Sequence, residues 1–339
     1  MTPEVHPTTP DKETTRLPIL FYSITEACNS RCITCDFWKQ DSVDELSEDE
    51  ISAFIDSLED IEVGTFIFTG GEPLLHGSLF EICKRLKERI LNTKIRILTN
   101  GILLKKYAHK ITQYCDQIVV SLDGATDDVY RSIRGVSNLK NLEEGVALCR
   151  QLNPAMKIRA RCTVQKRNYS QLPDIVRKAR QIGLDQISFL AADVSSSSAF
   201  GRNGRDERSN IALSEPDVRE LDGIIREMEK EFREEFANGF ITESPEQLRE
   251  ILLEYFLAIL NGDTRYKPVC NAPFVSASVD SRGNVAPCFF MTQTYGNLHD
   301  TPLSELLHSD ALVQIQRDFR AKAIEACNNC VCPLYLPNH

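Results

Sequence analysis

Six short apolar runs, separated by amphipathic stretches of helical length, constrain this chain more than any other feature of its sequence. ILFYSIT (Ile19–Thr25) leads to a helical pattern after Ser47, TFIFT (Thr65–Thr69) to Leu79–Ile90, and KIRILT (Lys94–Thr99) to Leu103–Tyr114. QIVVSL (Gln117–Leu122), KIRARCTV (Lys157–Val164) and DQISFL (Asp185–Leu190) continue the alternation, with helical patterns at Leu139–Leu152 and Leu172–Ile182 between them. Strands joined by helix-length crossovers pair in parallel, so the pattern predicts an α/β fold. Right-handed crossovers leave two architectures, an open doubly wound sheet and a partial barrel, and periodicity does not choose between them.

Both architectures bind ligands at the carboxyl ends of their strands. Here those ends carry chemistry: Cys28, Cys32 and Cys35 after the first run, TGGEP (Thr69–Pro73) after the second, TNG (Thr99–Gly101) after the third and SLDG (Ser121–Gly124) after the fourth. The glycines suggest close backbone approach to a ligand. Three thiolates are one short of a closed zinc site. They suit a four-iron cluster that keeps one iron open, while zinc completed from elsewhere and a chance grouping of reduced thiols remain alternatives.

The length of 339 residues predicts one large α/β unit with an appendage. Residues 1–16 read as a polar lead-in, 17–208 as the core, 209–265 as a helical linker along the barrel side and 266–339 as a small C-terminal domain. A net charge of −10 argues against a broad grip on nucleic acid or an anionic membrane. The longest apolar run, Ile251–Leu260, contains Glu254 and is too short to span a bilayer, which predicts a cytoplasmic protein. Without a secretion signal, the 12 cysteines read as thiols or metal ligands, and Cys83, Cys115, Cys149 and Cys162 as buried packing residues.

Cys-x3-Cys-x2-Cys at Cys28, Cys32 and Cys35, followed by GGEP at Gly70–Pro73, resembles the radical S-adenosylmethionine superfamily over roughly Leu17–Asp193. The resemblance implies a partial (β/α)6 TIM-like barrel. It also implies a [4Fe-4S] cluster whose open iron is chelated by S-adenosyl-L-methionine, reductive cleavage of that cofactor to a 5′-deoxyadenosyl radical, and hydrogen-atom abstraction from a substrate. Gly70, Gly71, Glu72 and Pro73 are then expected around the methionyl amine, Ser121 and Asp123 near the ribose or methionyl group, and Arg134 or Arg161 on the methionyl carboxylate. The family's usual aromatic residue before the third cysteine is Thr34 here, so Phe37 or Trp38 is expected to cover the adenine edge, or else to pack in the core.

Cys270, Gly283 and Cys288 in the form Cys-x12-Gly-x4-Cys resemble the SPASM and twitch auxiliary-cluster domains, with a hairpin turning around Asp280–Asn284. Five tail cysteines match the shorter, single-cluster twitch form. Cys270, Cys288, Cys327 and Cys330 are then expected to hold an auxiliary [4Fe-4S] cluster in redox service, with Cys332 spare or acting as a catalytic thiol donor, and zinc or a Cys330/Cys332 swap as alternatives.

The resemblance further implies a low-potential electron donor such as flavodoxin or ferredoxin, for which Lys105, Lys106 and Lys110 offer a basic patch. The expected reaction is dehydrogenation or epimerisation of a small polar metabolite of the sugar or aminocyclitol type. Asp193 is a candidate general base, and the serines and Arg202 of the Asp193–Asn210 loop are candidate substrate contacts. Peptide or protein side-chain maturation is the alternative, disfavoured by a lead-in too short for a leader-binding module. A molybdenum-cofactor-type cyclase is disfavoured by the tail, and a non-catalytic iron–sulfur or zinc scaffold by the intact motifs.

Overall fold

The computed structural model describes residues 15–337 except 40–43, 91, 197–199, 201–204, 264–265 and 267. Arg202 and most of the expected lead-in lie outside the described residues. Strands β1 (Thr15–Thr25), β2 (Ile61–Gly70), β3 (Lys94–Thr99), β4 (Gln117–Ser121), β5 (Lys157–Val164) and β6 (Gln186–Ala191) pair in parallel in chain order. The strand thus starts two residues inside the expected lead-in, at Thr15.

Helices α1 (Glu48–Asp56), α2 (Leu79–Arg89), α3 (Leu104–Tyr114), α4 (Asp127–Arg134), α5 (Leu139–Leu152) and α6 (Leu172–Gln181) fill the crossovers. A sheet whose strands follow one another in order, with crossovers of one hand, carries all its helices on one face. The doubly wound alternative requires a reversal of strand order, so this is a partial barrel. Along β5, Ile158, Ala160 and Cys162 are buried under the helices while Arg159, Arg161 and Thr163 alternate onto the concave face. The four isolated cysteines, Cys83, Cys115, Cys149 and Cys162, are buried as expected.

Local signals explain the helix ends. Ser47 and Glu50 form a capping box at α1, and Gly135 closes α4 in a left-handed conformation at φ 71°. Beyond the barrel, Ser214 with Asp217 and Ser244 with Gln247 cap the two expected linker helices.

The C-terminal hairpin, β7 (Ser276–Val279) and β8 (Asn284–Ala286), is joined by a third strand, β9 (Gly296–Asn297). Asp280 sets its turn, its carboxylate accepting the Asn284 N–H at 2.9 Å. β7 docks parallel to β1, from Ile19 opposite Ser276 to Tyr22 opposite Val279, so the cluster-domain hairpin extends the barrel sheet to nine strands. Among the described residues, no helix is long and apolar enough to cross a membrane.

Candidate iron–sulfur and cofactor site

The loop after β1 carries Cys28 and Cys35, both half-buried, and Cys32, which is buried. It is clipped to the end of α4: the Arg31 N–H donates to the Arg134 carbonyl at 2.9 Å, Ile33 N–H to the Ile133 carbonyl at 3.0 Å, and Ser30 Oγ to the Arg134 carbonyl at 2.9 Å. Donors face the sulfurs, Ser30 N–H to Cys28 Sγ and Arg134 Nη1 to Cys32 Sγ, each at 3.5 Å. Trp38 Nε1 donates to the Cys32 carbonyl at 3.0 Å. Three thiols on one loop, two of them facing N–H donors, fit a thiolate-held cluster, because such donors stabilise charge on cluster sulfur. Burial raises the Cys28 pKa, a cost that metal binding offsets by deprotonating the thiol.

The glycines of GGEP approach the chain itself. A Cβ on Gly71 would stand 2.2 Å from the Ala27 carbonyl oxygen, because Gly71 N–H and Glu72 N–H bond the Thr25 and Ala27 carbonyls, each at 2.8 Å. Glu72 is fully buried, and its carboxylate accepts from Leu74 N at 3.1 Å, Thr99 Oγ1 at 2.8 Å and Asn100 N at 2.7 Å. It ties the ends of β2 and β3 together beneath the cysteine loop, and burial pushes its pKa up to about 7. Pro73 is buried in the turn that follows.

Asp123 bridges strand ends in the same way beyond β4. One oxygen accepts the Thr163 N–H at 2.7 Å and the other pairs with Arg134 Nε. Burial opposes the charge on Arg134, yet the carboxylate of Asp123 and the sulfur of Cys32 hold it firmly protonated. Thr163, Asp123, Arg134 and Cys32 thus form one hydrogen-bonded path from β5 to the cysteine loop, and Arg134 is engaged within the protein.

Ser121 lies half-buried on β4 directly opposite Arg161 of β5, whose side chain is exposed in the concave face. Phe37 stacks edge-on against Phe200 at 5.6 Å, and Phe200 lies 5.1 Å from Phe289, which lies 5.9 Å from Phe21 of β1. This aromatic row joins the cysteine loop to the C-terminal domain, so Phe37 is packed against protein.

The auxiliary thiols gather above the same face. Burial pushes Cys288 up to about 12, against the Phe290 N–H, and Cys332 and Cys270 add to the rise; burial and the neighbouring Cys332 and Cys288 raise Cys330 well above a free thiol. Cys332, expected to be spare, sits with them: burial and then Cys270 raise it to about 11, while the Arg161 charge opposes the rise. Its N–H points at Cys330 Sγ, 3.5 Å away. Cys327 occupies the half-buried turn Glu325–Cys327. Among the described residues, no three Cys, His, Asp or Glu side chains converge closely enough for a single metal ion, whereas a cube holds its thiolates further apart.

Asp193 is buried at the end of β6, its carboxylate accepting from Ser195 N at 3.0 Å, Ser196 N at 3.0 Å and both serine hydroxyls. Those bonds fold the loop back on itself, and the Ser195 hydroxyl shares its one proton between Asp193 and the Asn329 carbonyl, 3.0 Å away, docking the cysteine tail on the barrel. The lysines of the expected basic patch have neighbours around α3: Lys105 pairs with Glu144 at 2.8 Å, Lys106 lies over Tyr107 and Lys110 over Phe80. Missed by the sequence reading were Arg96, Arg159 and Glu243, which flank Arg161. A charged residue at alternate positions of an apolar strand, as in KIRILT and KIRARCTV, was the available signal.

The sequence model of the Radical SAM superfamily matches residues 22–179, and that of the SPASM iron–sulfur cluster-binding domain matches residues 270–331. The chain is 27% identical over 322 residues to the pre-heme d1 synthase of Dinoroseobacter shibae, a match covering 89% of this chain and 76% of that one. It is 34% identical over 138 residues to the GTP 3′,8-cyclase of Lactiplantibacillus plantarum, covering 39% of this chain and 41% of the cyclase. The fold superposes on the crystal structure of Streptococcus suis SuiB bound to S-adenosylmethionine with a TM-score of 0.62 at 17% identity, covering 94% of this chain and 72% of SuiB.

Proposed function

Because the chain belongs to the radical SAM superfamily and is a radical SAM enzyme with a SPASM iron–sulfur domain, we propose that it dehydrogenates or epimerises a small polar metabolite held in the barrel lumen. When bound and reduced, the cluster and S-adenosylmethionine together supply a 5′-deoxyadenosyl radical, which takes a hydrogen atom from the substrate. Cys28, Cys32 and Cys35 would hold that cluster, leaving one iron for the cofactor. The strand ends carrying GGEP and Ser121 would cradle the cofactor, and the aromatic row from Phe37 to Phe21 would exclude water on the β1 side.

The observation that carries the redox side of this reading is the docking of the cysteine tail on the barrel, where Ser195 Oγ lies 3.0 Å from the Asn329 carbonyl oxygen, with the Arg161 charge acting on Cys332. It supports the reading that the auxiliary thiols lie over the lumen in which a substrate radical would form. Dehydrogenation removes a hydrogen atom, one further electron and a proton, and a fully thiolate-held auxiliary cluster is suited to accept that electron. Cys332 is buried beside Cys330, its N–H 3.5 Å from Cys330 Sγ, and a place among the cluster ligands would leave it no S–H to donate, which is the dehydrogenation reading. A low-potential flavodoxin or ferredoxin would deliver the initiating electron.

A second reading, action on a heme precursor, is favoured by the nearly end-to-end likeness to the pre-heme d1 synthase. The deciding experiment reduces the anaerobically reconstituted enzyme with dithionite and measures 5′-deoxyadenosine against sugars, aminocyclitols, heme precursors and peptides. The expected result is stimulation by a sugar or aminocyclitol, with a product lighter by two hydrogens. A product of unchanged mass in water that gains one mass unit in deuterium oxide would mean epimerisation, and stimulation by a heme precursor or a peptide would replace the substrate reading. No deoxyadenosine from enzyme with both clusters loaded and reduced would leave the scaffold reading.

A further inference from the structure

Strand register places three arginines together on the concave face. Phe21, Ile67, Arg96, Gln117 and Lys157 form one row across β1 to β5, and Leu98, Val119, Arg159 and Gln186 belong to the next row towards the strand ends. Ser121, Arg161 and Ser188 form the row above that. The three guanidinium groups feel one another: burial, followed by the charges of Arg159 and Arg161, pulls the Arg96 pKa down to about 10.

These arginines have little to offset them. Arg96 spends Nε and Nη2 on one neutral oxygen, Gln117 Oε1, at 3.1 and 2.8 Å. Arg159 Nε is buried and has no hydrogen-bond partner. Glu243 acts on Arg161, and its carboxylate is held by the Phe189 N–H at 3.1 Å. Like charges gathered on a partly desolvated face with little counter-charge are costly, and a bidentate anion relieves that cost.

We propose that Arg96 and Arg159, with Arg161 above them, form an anion site in the barrel lumen that binds a carboxylate or phosphate group of the substrate. The site rests on the reading that the substrate occupies this lumen. Depth separates the floor of the site from the cofactor: Arg96 lies three residues before Thr99 on β3, about 10 Å below the strand end at 3.3 Å per residue, while Arg161, opposite Ser121, borders the cofactor cradle. The cofactor's methionyl group belongs to the loops above those ends. Across the lumen, Phe21 and Phe289 present an apolar wall, so the ligand's charge is directed to the β3–β5 side.

The test is isothermal titration of the reconstituted full-length protein, with S-adenosylmethionine present, using citrate in one arm and inorganic pyrophosphate in the other. Saturable binding of citrate identifies a carboxylate site and of pyrophosphate a phosphate site. Arg96→Gln and Arg159→Gln are expected to weaken that binding by roughly tenfold or more, with partial recovery in Arg96→Lys and Arg159→Lys. Melting temperature and cluster absorbance identify variants that have misfolded, in which case the lysine variants and the wild-type salt dependence decide. Failure of both probes to bind the wild type, or equal affinity in folded glutamine variants, would overturn the site. Deoxyadenosine formation by the wild type is measured separately: its absence with anion binding intact would count against the enzyme reading and leave the site standing.

Discussion

Two buried carboxylates, Glu72 and Asp123, show how single residues organise the site. Each was expected to touch the cofactor, and each spends its oxygens on neighbouring strand ends or, for Asp123, also on Arg134. Glu72 makes a pH prediction. Its folded pKa, near 7, lies above that of an exposed carboxyl, so its contribution to stability is present at low pH and is lost as pH rises through about 7. Urea unfolding of metal-free protein should therefore find Glu72→Gln less damaging at pH 8 than at pH 5, by about 2–3 kcal/mol; an equal penalty at both would refute the burial argument. Cys332 makes a second prediction. Reconstituted wild type should hold about eight irons, and Cys332→Ala, like Cys288→Ala, should fall towards about four. Retention of the full complement by Cys332→Ala would return it to the status of a spare thiol. Sequence spacing favours Cys327 with Cys330 because Cys-x2-Cys is a familiar ligand pair, and the iron count of Cys327→Ala beside that of Cys332→Ala tells which thiol completes the set.

At the scale of elements, the barrel strands and helices were legible because their periodicities differ and because caps such as Ser47 and Ser244 are local. The docking of β7 on β1 was not legible. Ser276–Val279 is short, and nothing in SASV names its partner strand. Its position between β1 and β8 makes Ser278 intolerant of proline, which lacks the N–H needed in a central strand. Ser278→Pro is expected to strip the auxiliary iron while leaving the first cluster, giving about four irons and retained S-adenosylmethionine binding. Loss of both clusters would show that the hairpin supports β1 and with it the cysteine loop.

For the whole molecule, the net charge of −10 bears on electron delivery. An acidic donor is repelled at low ionic strength, and the α3 lysines are already engaged by Glu144, Tyr107 and Phe80. Reduction by flavodoxin, followed by stopped flow, should accelerate between about 0.02 and about 0.2 M salt as screening removes the repulsion. A rate that falls instead would reveal a local basic dock. The sequence by itself determined the parallel α/β class, the first cysteine loop and the GGEP signature, since these depend on periodicity and on residues close together in the chain. Only the tertiary structure decided that the sheet is a barrel, that Cys332 joins the auxiliary thiols and that Arg96, Arg159 and Arg161 share one lumen. Those relations depend on strand order and register, which bring together residues as distant in the chain as Arg96, Arg161 and Cys332.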